Sequence, residues 1–582
     1  MEQDPDAVNK TAAHFANLLR DPDEMHWEKL FAFFVRSQAP PTQYHEHFAY
    51  AAKAKRDPDT YNWQEAMASP YKQEFLLAAD AEIAQLCEHG TWVEDLISNA
   101  TTKVVPSQWV FRIKRSADGE IKKFKARLVL RGDLQEYEGE TFSPVASWAT
   151  VRLFLIMCMI LEWVTITIDF SNAFVQSPLP DDQPVWMSAP RGYKCTNGTN
   201  HCLKLKKSLY GHKVAPLLWF KHVTKAFKEL GLVQSKHDPC LWYKDEMILV
   251  QYVDDCGIGA PNQKIIDDFV QALEAKGLQL TKEGSFSEFL GLKFENHPDG
   301  SIEMTQKGLI QKILKATMME DCNPNSLPAA TVALGSDKEG EPMEEAWSYR
   351  AICGMLLYLS TNTRPDIAFA VSQVCRFSSR PTKKHATAVK TIVRYLKGTM
   401  NKGTTYFPSK WLELDLYVDA DFCGLFNQEE DRNPDSARSR TGYIVFLNQC
   451  PVLWKSVLQD HISQSTLEAE YSALSYALRT FLPLQRLLKE LIAMTKCRAL
   501  EGATVHSRVF EDNQGAYYLA TNHRITNRTK YFLCKWHWFW AHVDNHEFDI
   551  LKCPTDKQRA DYLTKALARA IFEANRAAAQ GW

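Results

Sequence analysis

Long apolar runs are missing from this 582-residue chain. The longest, Leu153 to Leu161, is nine residues held between Arg152 and Glu162, where roughly 18 to 20 are needed to cross a bilayer. No membrane span is expected. The N-terminus, Met1-Glu2-Gln3-Asp4-Pro5-Asp6, is acidic and lacks the basic and apolar stretches of a secretory signal, which implies an intracellular protein. None of the 14 cysteines belongs to a Cys-x-x-Cys pair, which argues against zinc ribbons and, inside a cell, for free thiols. Net charge is nearly absent too: 68 Lys and Arg against 70 Asp and Glu give −2, so the chain is not a uniformly basic nucleic-acid binder. With 45% apolar and 24% charged residues it is not a disordered, collagen-like or disulfide-scaffold sequence. At about 150 residues per domain, roughly four folding units are expected.

Near-neutrality conceals clusters. From Lys103 to Arg131 nine Lys and Arg face only Asp118 and Glu120, and from Arg380 to Lys402 seven Lys and Arg face no acid. Two solvated faces would account for these patches, and so would an extended positive groove along a phosphate backbone. Asn323 to Ala346 and Phe426 to Arg440 are rich in turn-forming residues and read as a linker and a long surface loop. Residues 1–60 are polar and broken by prolines, with one helix expected at Trp27 to Val35. Elsewhere strand-like and helix-like stretches alternate, the pattern of mixed α and β architecture. Trp63 to Cys87 predicts an amphipathic helix; Trp109 to Lys114 and Lys122 to Leu130 predict a basic hairpin turning at Ala117-Asp118-Gly119-Glu120.

Acids occur at the ends of predicted strands. In Val164-Thr165-Ile166-Thr167-Ile168-Asp169 the alternation puts Val164, Ile166 and Ile168 toward a core and Asp169 on the opposite face. Further on, Ile248 to Gly259 reads as two short strands turning at Asp254-Asp255. Adjacent carboxylates raise each other's pKa unless a cation intervenes, and a pair of Mg²⁺ ions held by such oxygens can serve phosphoryl transfer. A solvated turn is the bland reading.

Context favours the chemistry. Tyr252-Val253-Asp254-Asp255 resembles the YxDD box of reverse transcriptases, and Ile168-Asp169-Phe170-Ser171-Asn172-Ala173-Phe174 the aspartate motif before it. Trp109 to Lys114, Lys125 to Val129, Thr141 to Val145, Leu205 to Gly211 and Phe289-Leu290-Gly291 are similar, in order, to the copia-type (Pseudoviridae) retrotransposon branch. The resemblance implies that Asp169, Asp254 and Asp255 are the palm carboxylates and metal ligands. It implies that Lys125 and Arg127 cover the triphosphate of the incoming nucleotide, with Lys114 an alternative within a position or two. Phe174 lies where the family has a steric gate against the ribose 2′-OH, although a core phenylalanine fits as well; Tyr210 and Gly211 match the motif against the nascent base pair. Lys282 could donate a proton to pyrophosphate or be a surface lysine, and Phe289-Leu290-Gly291 resembles the primer grip. After Gly211 the family continues Leu-Lys-Gln where this chain has His212-Lys213-Val214.

A second acid set follows. Leu412 to Asp419 alternates so that Asp419 lies opposite Leu414, Leu416 and Val418; a strand Gly442 to Leu447 and a helix from about Leu467 come next. Glu468 and Glu470 flank the apolar stripe of that helix, and helical phase does not separate them. Asp512 ends a short strand, and Asp561 is expected on a C-terminal helix. Tyr417-Val418-Asp419-Ala420-Asp421, Ser465 to Tyr471, Glu511 to Gln514 and Ala560 to Lys565 resemble the ribonuclease H domain that follows copia-type reverse transcriptases, with Asp419, Glu470, Asp512 and Asp561 at the catalytic and metal-binding positions. The loop Cys553 to Gln558 has no histidine, as in that branch. Lys535 to His546, rich in Trp and His, is read as an aromatic core helix rather than a metal site.

The resemblance spans about residues 57 to 570. It implies α+β and α/β multidomain architecture, a right-hand polymerase with a connection region and a ribonuclease H-like domain. The expected divisions are an N-terminal polar segment (1–60), fingers and palm (61–300), thumb and linker (301–346), connection (347–409), ribonuclease H-like domain (410–570) and tail (571–582). The implied function is RNA-directed DNA synthesis with ribonuclease H cleavage, using two Mg²⁺ per active site, with Mn²⁺ as a substitute. RNA template, DNA primer, RNA–DNA hybrid and deoxynucleoside triphosphates are the implied partners, with integrase or other Pol products beside them and no membrane. The implied location is the cytoplasm, in virus-like particles, with access to the nucleus. The rival reading is an inactive remnant that only binds nucleic acid.

Overall fold

The computed structural model describes residues 59–582 apart from 116–120, 197, 199, 331–333, 410 and 427–433. The helix expected at Trp27 to Val35, the Asp-Gly turn of the hairpin and nearly all of the 1–60 segment lie outside the described residues.

The helix expected from Trp63 to Cys87 is two, Trp63–Ala68 and Lys72–Glu88. Pro70 breaks it, because proline has no amide hydrogen and disfavours helical geometry in the residue before it. The basic hairpin is present as β1 (Ser107–Arg115) and β2 (Ile121–Leu130). Its inward residues Trp109, Phe111, Ile113 and Leu128 meet Phe75 in a small core of their own. A second, larger core runs from Ala146 to the C-terminal helix.

That larger core starts at α1 (Trp148–Ile160), buried over most of its circumference. It packs against a six-stranded antiparallel sheet holding β3 (Val164–Asp169), β4 (Met247–Tyr252), β5 (Asp255–Ala260) and β6 (Thr281–Ser285), in the order β6-β3-β5-β4 and then Leu241–Lys244 and Val233–Gln234. α2 (Ala215–Glu229) lies between β3 and β4 in the chain. Glycine at 257 keeps β5 slim, since a Cβ there would stand 2.8 Å from the Phe286 ring. Ile166 and Ile168 are buried as expected, but Val164 is exposed; it begins the strand at the end remote from the acids, beyond the cover of the core.

The segments expected as thumb and connection are interleaved. One four-stranded sheet joins Glu288–Phe289, Leu292–Asn296, Ile302–Thr305 and Thr404–Tyr406, strands from both sides of the division expected at 300 and from the connection region. Three helices follow the linker: α3 (Tyr349–Asn362), α4 (Ala368–Cys375) and α5 (Lys383–Gly398). The linker covers part of the basic face of α5, with Glu341 2.5 Å from Lys383 and Glu345 2.5 Å from Lys390.

The last sheet has the order β9-β8-β7-β10-β11, from β7 (Glu413–Asp421), β8 (Arg440–Leu447), β9 (Cys450–Leu458), β10 (His506–Glu511) and β11 (Asp549–Lys552). β7 to β9 form an antiparallel meander, whereas β7, β10 and β11 are parallel. Asp415, Tyr417 and Asp419 are buried along with Leu414, Leu416 and Val418, so the one-faced alternation expected for this strand does not hold: a sheet with parallel strands is covered on both sides. The long helix α6 (Thr466–Met494) packs on it. The aromatic segment expected as one helix breaks into Lys530–Trp536, a 3₁₀ turn His537–Phe539 and Trp540–Asp544. Trp538 Nε1 donates to Ser475 Oγ at 2.8 Å and Trp540 Nε1 to the Tyr471 hydroxyl at 2.7 Å, which pins the segment to α6. Residues 571–582, expected as a tail, belong mostly to α7 (Arg569–Gln580), whose Gln580 is buried and bonds the Asp366 amide and the Gly403 carbonyl.

One side chain ties the two large sheets. Arg152 of α1 is fully buried, donates to the carbonyls of Thr361, Asn362 and Val452 at 2.6 to 2.9 Å, and spreads over the Trp454 ring at 4.2 Å. It thereby satisfies orphan carbonyls at the end of α3 while gripping β9.

Candidate active sites

In the six-stranded sheet, register gathers the acids. β5 pairs with β3 so that Asp255 stands opposite Asp169, and with β4 so that Tyr252 stands opposite Asp255, leaving Val253 and Asp254 as the turn. Val253 has φ of 59°, a left-handed conformation that costs a β-branched residue free energy and needs support from its surroundings. The support comes from two sides. The Trp219 indole of α2 donates to the Val253 carbonyl at 2.6 Å, and the Phe170 amide, next to Asp169, donates to the Asp254 carbonyl at 2.9 Å. Trp219 was not legible as part of this site. Lys282 of β6 pairs with Asp267 at 2.8 Å, the behaviour of a surface lysine.

The residues expected around the nucleotide also meet. Arg127, opposite Val110 on the hairpin, lies over the Tyr210 ring at 4.8 Å, and Tyr210 takes Phe174 edge-on at 5.4 Å. Phe174 is itself buried in a single turn, Ala173–Gln176. Lys125 faces Arg112 across the hairpin. The Leu130 amide donates to the Tyr210 carbonyl at 2.7 Å, which clamps the Tyr210-Gly211 strip to the end of β2. Gly211 has φ of 82°, and any side chain there would strike the Leu130 carbonyl, so glycine is required on two counts. Behind the hairpin Glu82, raised by burial, accepts from the Leu128 amide and is drawn down by Arg127 and Lys125; no motif marked it. His212 is buried beside Ser208, its Nδ1 3.3 Å from the hydroxyl. The Phe289-Leu290-Gly291 turn has left-handed residues at 290 and 291, and the Tyr358 hydroxyl of α3 holds the Leu290 carbonyl at 2.6 Å.

The second site is tighter. Asp419, Glu470 and Asp512 each offer a ligand atom within 4.8 Å of the others. The parallel register Tyr417 to Phe510, continued two residues, sets Asp419 level with Asp512, and α6 brings Glu470 across. Glu468 instead accepts from the Gln464 amide and the Tyr531 hydroxyl. Asp561 is not on a helix as expected: it opens a 3₁₀ turn, Asp561–Leu563. The turn sits against β8 because position 442 is glycine; a Cβ there would lie 2.6 Å from Thr564 Cγ2 and 2.9 Å from Leu563 Cβ.

Electrostatics follow from this crowding. Burial pushes the Asp419 carboxyl up to about 7, opposed by Lys565 and aided by Asp561. Burial, then Glu511 and Asp419, hold Glu470 well above the carboxylate range, and burial raises Asp512. Lys565 Nζ lies 2.8 Å from Asp561 and 3.8 Å from Asp419, and the Thr564 hydroxyl donates to Asp419. Glu470 Oε2 is buried with no hydrogen-bond donor among the described residues. Hard oxygen donors, mutual repulsion and an orphaned acceptor are what a divalent cation relieves. Lys565, Thr564 and the buried Glu511 are the members that sequence reasoning did not single out, although the Ala560 to Lys565 motif contains two of them.

A six-stranded sheet ending in paired acids and a five-stranded mixed sheet with its own acidic cluster make a mixed α/β multidomain protein. Residues 91–331 match the family described as Reverse transcriptase (RNA-dependent DNA polymerase). The chain is 32% identical over 501 residues to the retrovirus-related Pol polyprotein from transposon RE1 of Arabidopsis thaliana, covering 84% of this chain and 32% of the relative. It is 30% identical over 530 residues to that from transposon TNT 1-94 of Nicotiana tabacum, covering 88% and 38%. A foamy viral protease-reverse transcriptase solved in complex with double-stranded DNA is similar at a TM-score of 0.44 and 12% identity, over 82% of this chain and 69% of that one, too loose a likeness to argue from. The chain belongs to the copia-type retrotransposon Pol family and carries its reverse transcriptase domain. It spans about a third of the length of these plant relatives.

Proposed function

We propose that the chain is an RNA-directed DNA polymerase that copies retrotransposon RNA into DNA, and that its last sheet is a ribonuclease H that cleaves the RNA strand of the resulting hybrid. The observation that carries the reading is the register that stands Asp169 opposite Asp255 beside the Val253-Asp254 turn. In this reading Asp169, Asp254 and Asp255 hold one pair of cations, and Asp419, Glu470, Asp512 and Asp561 hold the other. Bound there, two Mg²⁺ ions per site, or Mn²⁺ in their place, supply an activated nucleophile and neutralise charge on the leaving oxygen. The protein's own work is placement. Arg127 and Lys125 bind the triphosphate of a deoxynucleotide, the flat guanidinium suiting phosphate oxygens. Phe174 and the Tyr210-Gly211 strip wall the sugar and base pair, and Thr564 orients Asp419. Lys565 balances the charge of the second cluster.

RNA template, DNA primer, hybrid and deoxynucleoside triphosphates are then the substrates, and integrase or other Pol products the partners. No helix among the described residues is long and apolar enough to cross a membrane; cytoplasmic virus-like particles with access to the nucleus are the proposed location. Primer extension on RNA and degradation of a labelled hybrid, both with Mg²⁺, test the reading. Asp254→Asn should abolish extension and spare cleavage; Glu470→Gln should do the reverse. A native chain that does neither is a remnant that only binds nucleic acid.

A further inference from the structure

Between α4, α5 and the edge of the last sheet lies a cavity of about 630 Å³, within the range of small-molecule sites. Lys384, Arg438, Arg440 and Lys565 line it against a single acid, Asp421, while Phe369, Ile392, Leu425 and Leu458 supply apolar wall. Of these only Lys565 also touches the carboxylate cluster. Arg440 is the unusual member. It opens β8 and is 3% exposed. Its Nη1 donates to Ser372 Oγ at 2.8 Å and Ser456 Oγ at 3.2 Å, and its guanidinium lies 5.3 Å from the Phe369 ring centre. Its Nη2 is buried with no acceptor among the described residues.

Asp421 stands opposite Arg440 across the strand pair, yet a buried guanidinium whose hydrogen-bond acceptors among the described residues are two neutral hydroxyls, with a donor to spare, is costly. Such a group is explained most simply by an acceptor that arrives from outside. Lys565 is already paired with Asp561 and Arg438 with Asp435, so Lys384 and Arg440 carry the excess over Asp421; two cations against one acid favour an anion, and the planar fork of arginine matches phosphate oxygens. The apolar wall beside that charge suits a flat, uncharged body attached to the phosphate.

We propose that this cavity binds a nucleotide by its phosphate group, with Arg440 as the anchor, either as a free mononucleotide or as the 5′-phosphorylated end of a strand. The proposal rests on neither carboxylate centre being active. It is tested on the whole chain in EDTA, which silences cation-dependent binding at both centres, by equilibrium dialysis of labelled adenosine monophosphate, adenosine, and 5′-phosphorylated and 5′-hydroxyl dinucleotides. Adenosine monophosphate should bind at least tenfold more tightly than adenosine. Lys384→Glu, on an exposed side chain, and Ala388→Trp, which fills the cavity, should each weaken it at least tenfold without lowering the melting temperature. Stronger retention of the 5′-phosphorylated dinucleotide than of the mononucleotide assigns the strand end; the opposite order assigns the free nucleotide. Equal binding of adenosine and its monophosphate, or monophosphate binding unchanged in both variants, overturns the proposal, and neither result bears on primer extension.

Discussion

Replacing Gly442 with alanine adds one methyl group where β8 meets the Asp561–Leu563 turn. The new carbon would stand 2.6 Å from Thr564 Cγ2 and 2.9 Å from Leu563 Cβ, whereas carbons rest at about 3.5 to 4.0 Å. The turn must therefore retreat by roughly 1 Å. Overpacking of this kind costs about 1–3 kcal/mol, and at about 2–4 °C per kcal/mol for a domain of this size the melting temperature should fall by several degrees. Retreat withdraws the Thr564 hydroxyl from Asp419 and shifts Asp561 and Lys565 away from the cluster. A displacement of about 1 Å in a catalytic group can cost roughly 100-fold in rate, so hybrid cleavage by Gly442→Ala should drop by about two orders of magnitude. Primer extension by the same preparation, which depends on a distant sheet, should hold and so report that the protein is folded. Native cleavage with an unchanged melting temperature would refute the reasoning.

Arg152→Met keeps the aliphatic stem but strips three buried carbonyls of their donor; a loss of about 3 kcal/mol or more in urea unfolding is expected, together with faster proteolysis between the palm and the last sheet. Arg127→Lys keeps charge but gives up the flat contact with Tyr210, and should raise KM for deoxynucleotides more than it lowers kcat in steady-state extension. Burial pushes His212 down to about 4 from the ordinary 6.5, so the unfolded chain takes up the proton first. The stability that neutral His212 allows is complete above about pH 6.5 and fades as pH falls toward 4, by roughly 3 kcal/mol in all. His212→Asn should flatten that part of the pH profile in denaturant melts.

Local pattern made some elements readable. The basic hairpin, the strand ending at Asp169 and the acidic turn all follow from residue alternation and turn chemistry, which act over a few neighbours. The places that differed share one cause. Pro70 is a local breaker, yet the apolar spacing from Trp63 to Cys87 runs through it. Val164 fits the alternation of its strand but lies past the edge of the core. Asp415 and Tyr417 look outward by pattern, and are buried because parallel strands draw cover onto both faces. Trp219, Glu82 and Arg152 serve their sites through partners tens or hundreds of residues away, and no short window of sequence contains both halves of such a contact; Lys565 pairs with nearby Asp561 but reaches Asp419 only through the fold.

Sequence alone thus put Asp169 at a strand end and Asp254-Asp255 in a turn, because alternation and turn chemistry act between neighbours in the chain, while the grouping of the acids came from motif resemblance. Only the tertiary structure decided that a lysine shares the cluster of Asp419, Glu470 and Asp512, and that one buried arginine joins the two halves. Those outcomes depend on which faces meet in space, and burial and charge act across the fold regardless of separation along the chain.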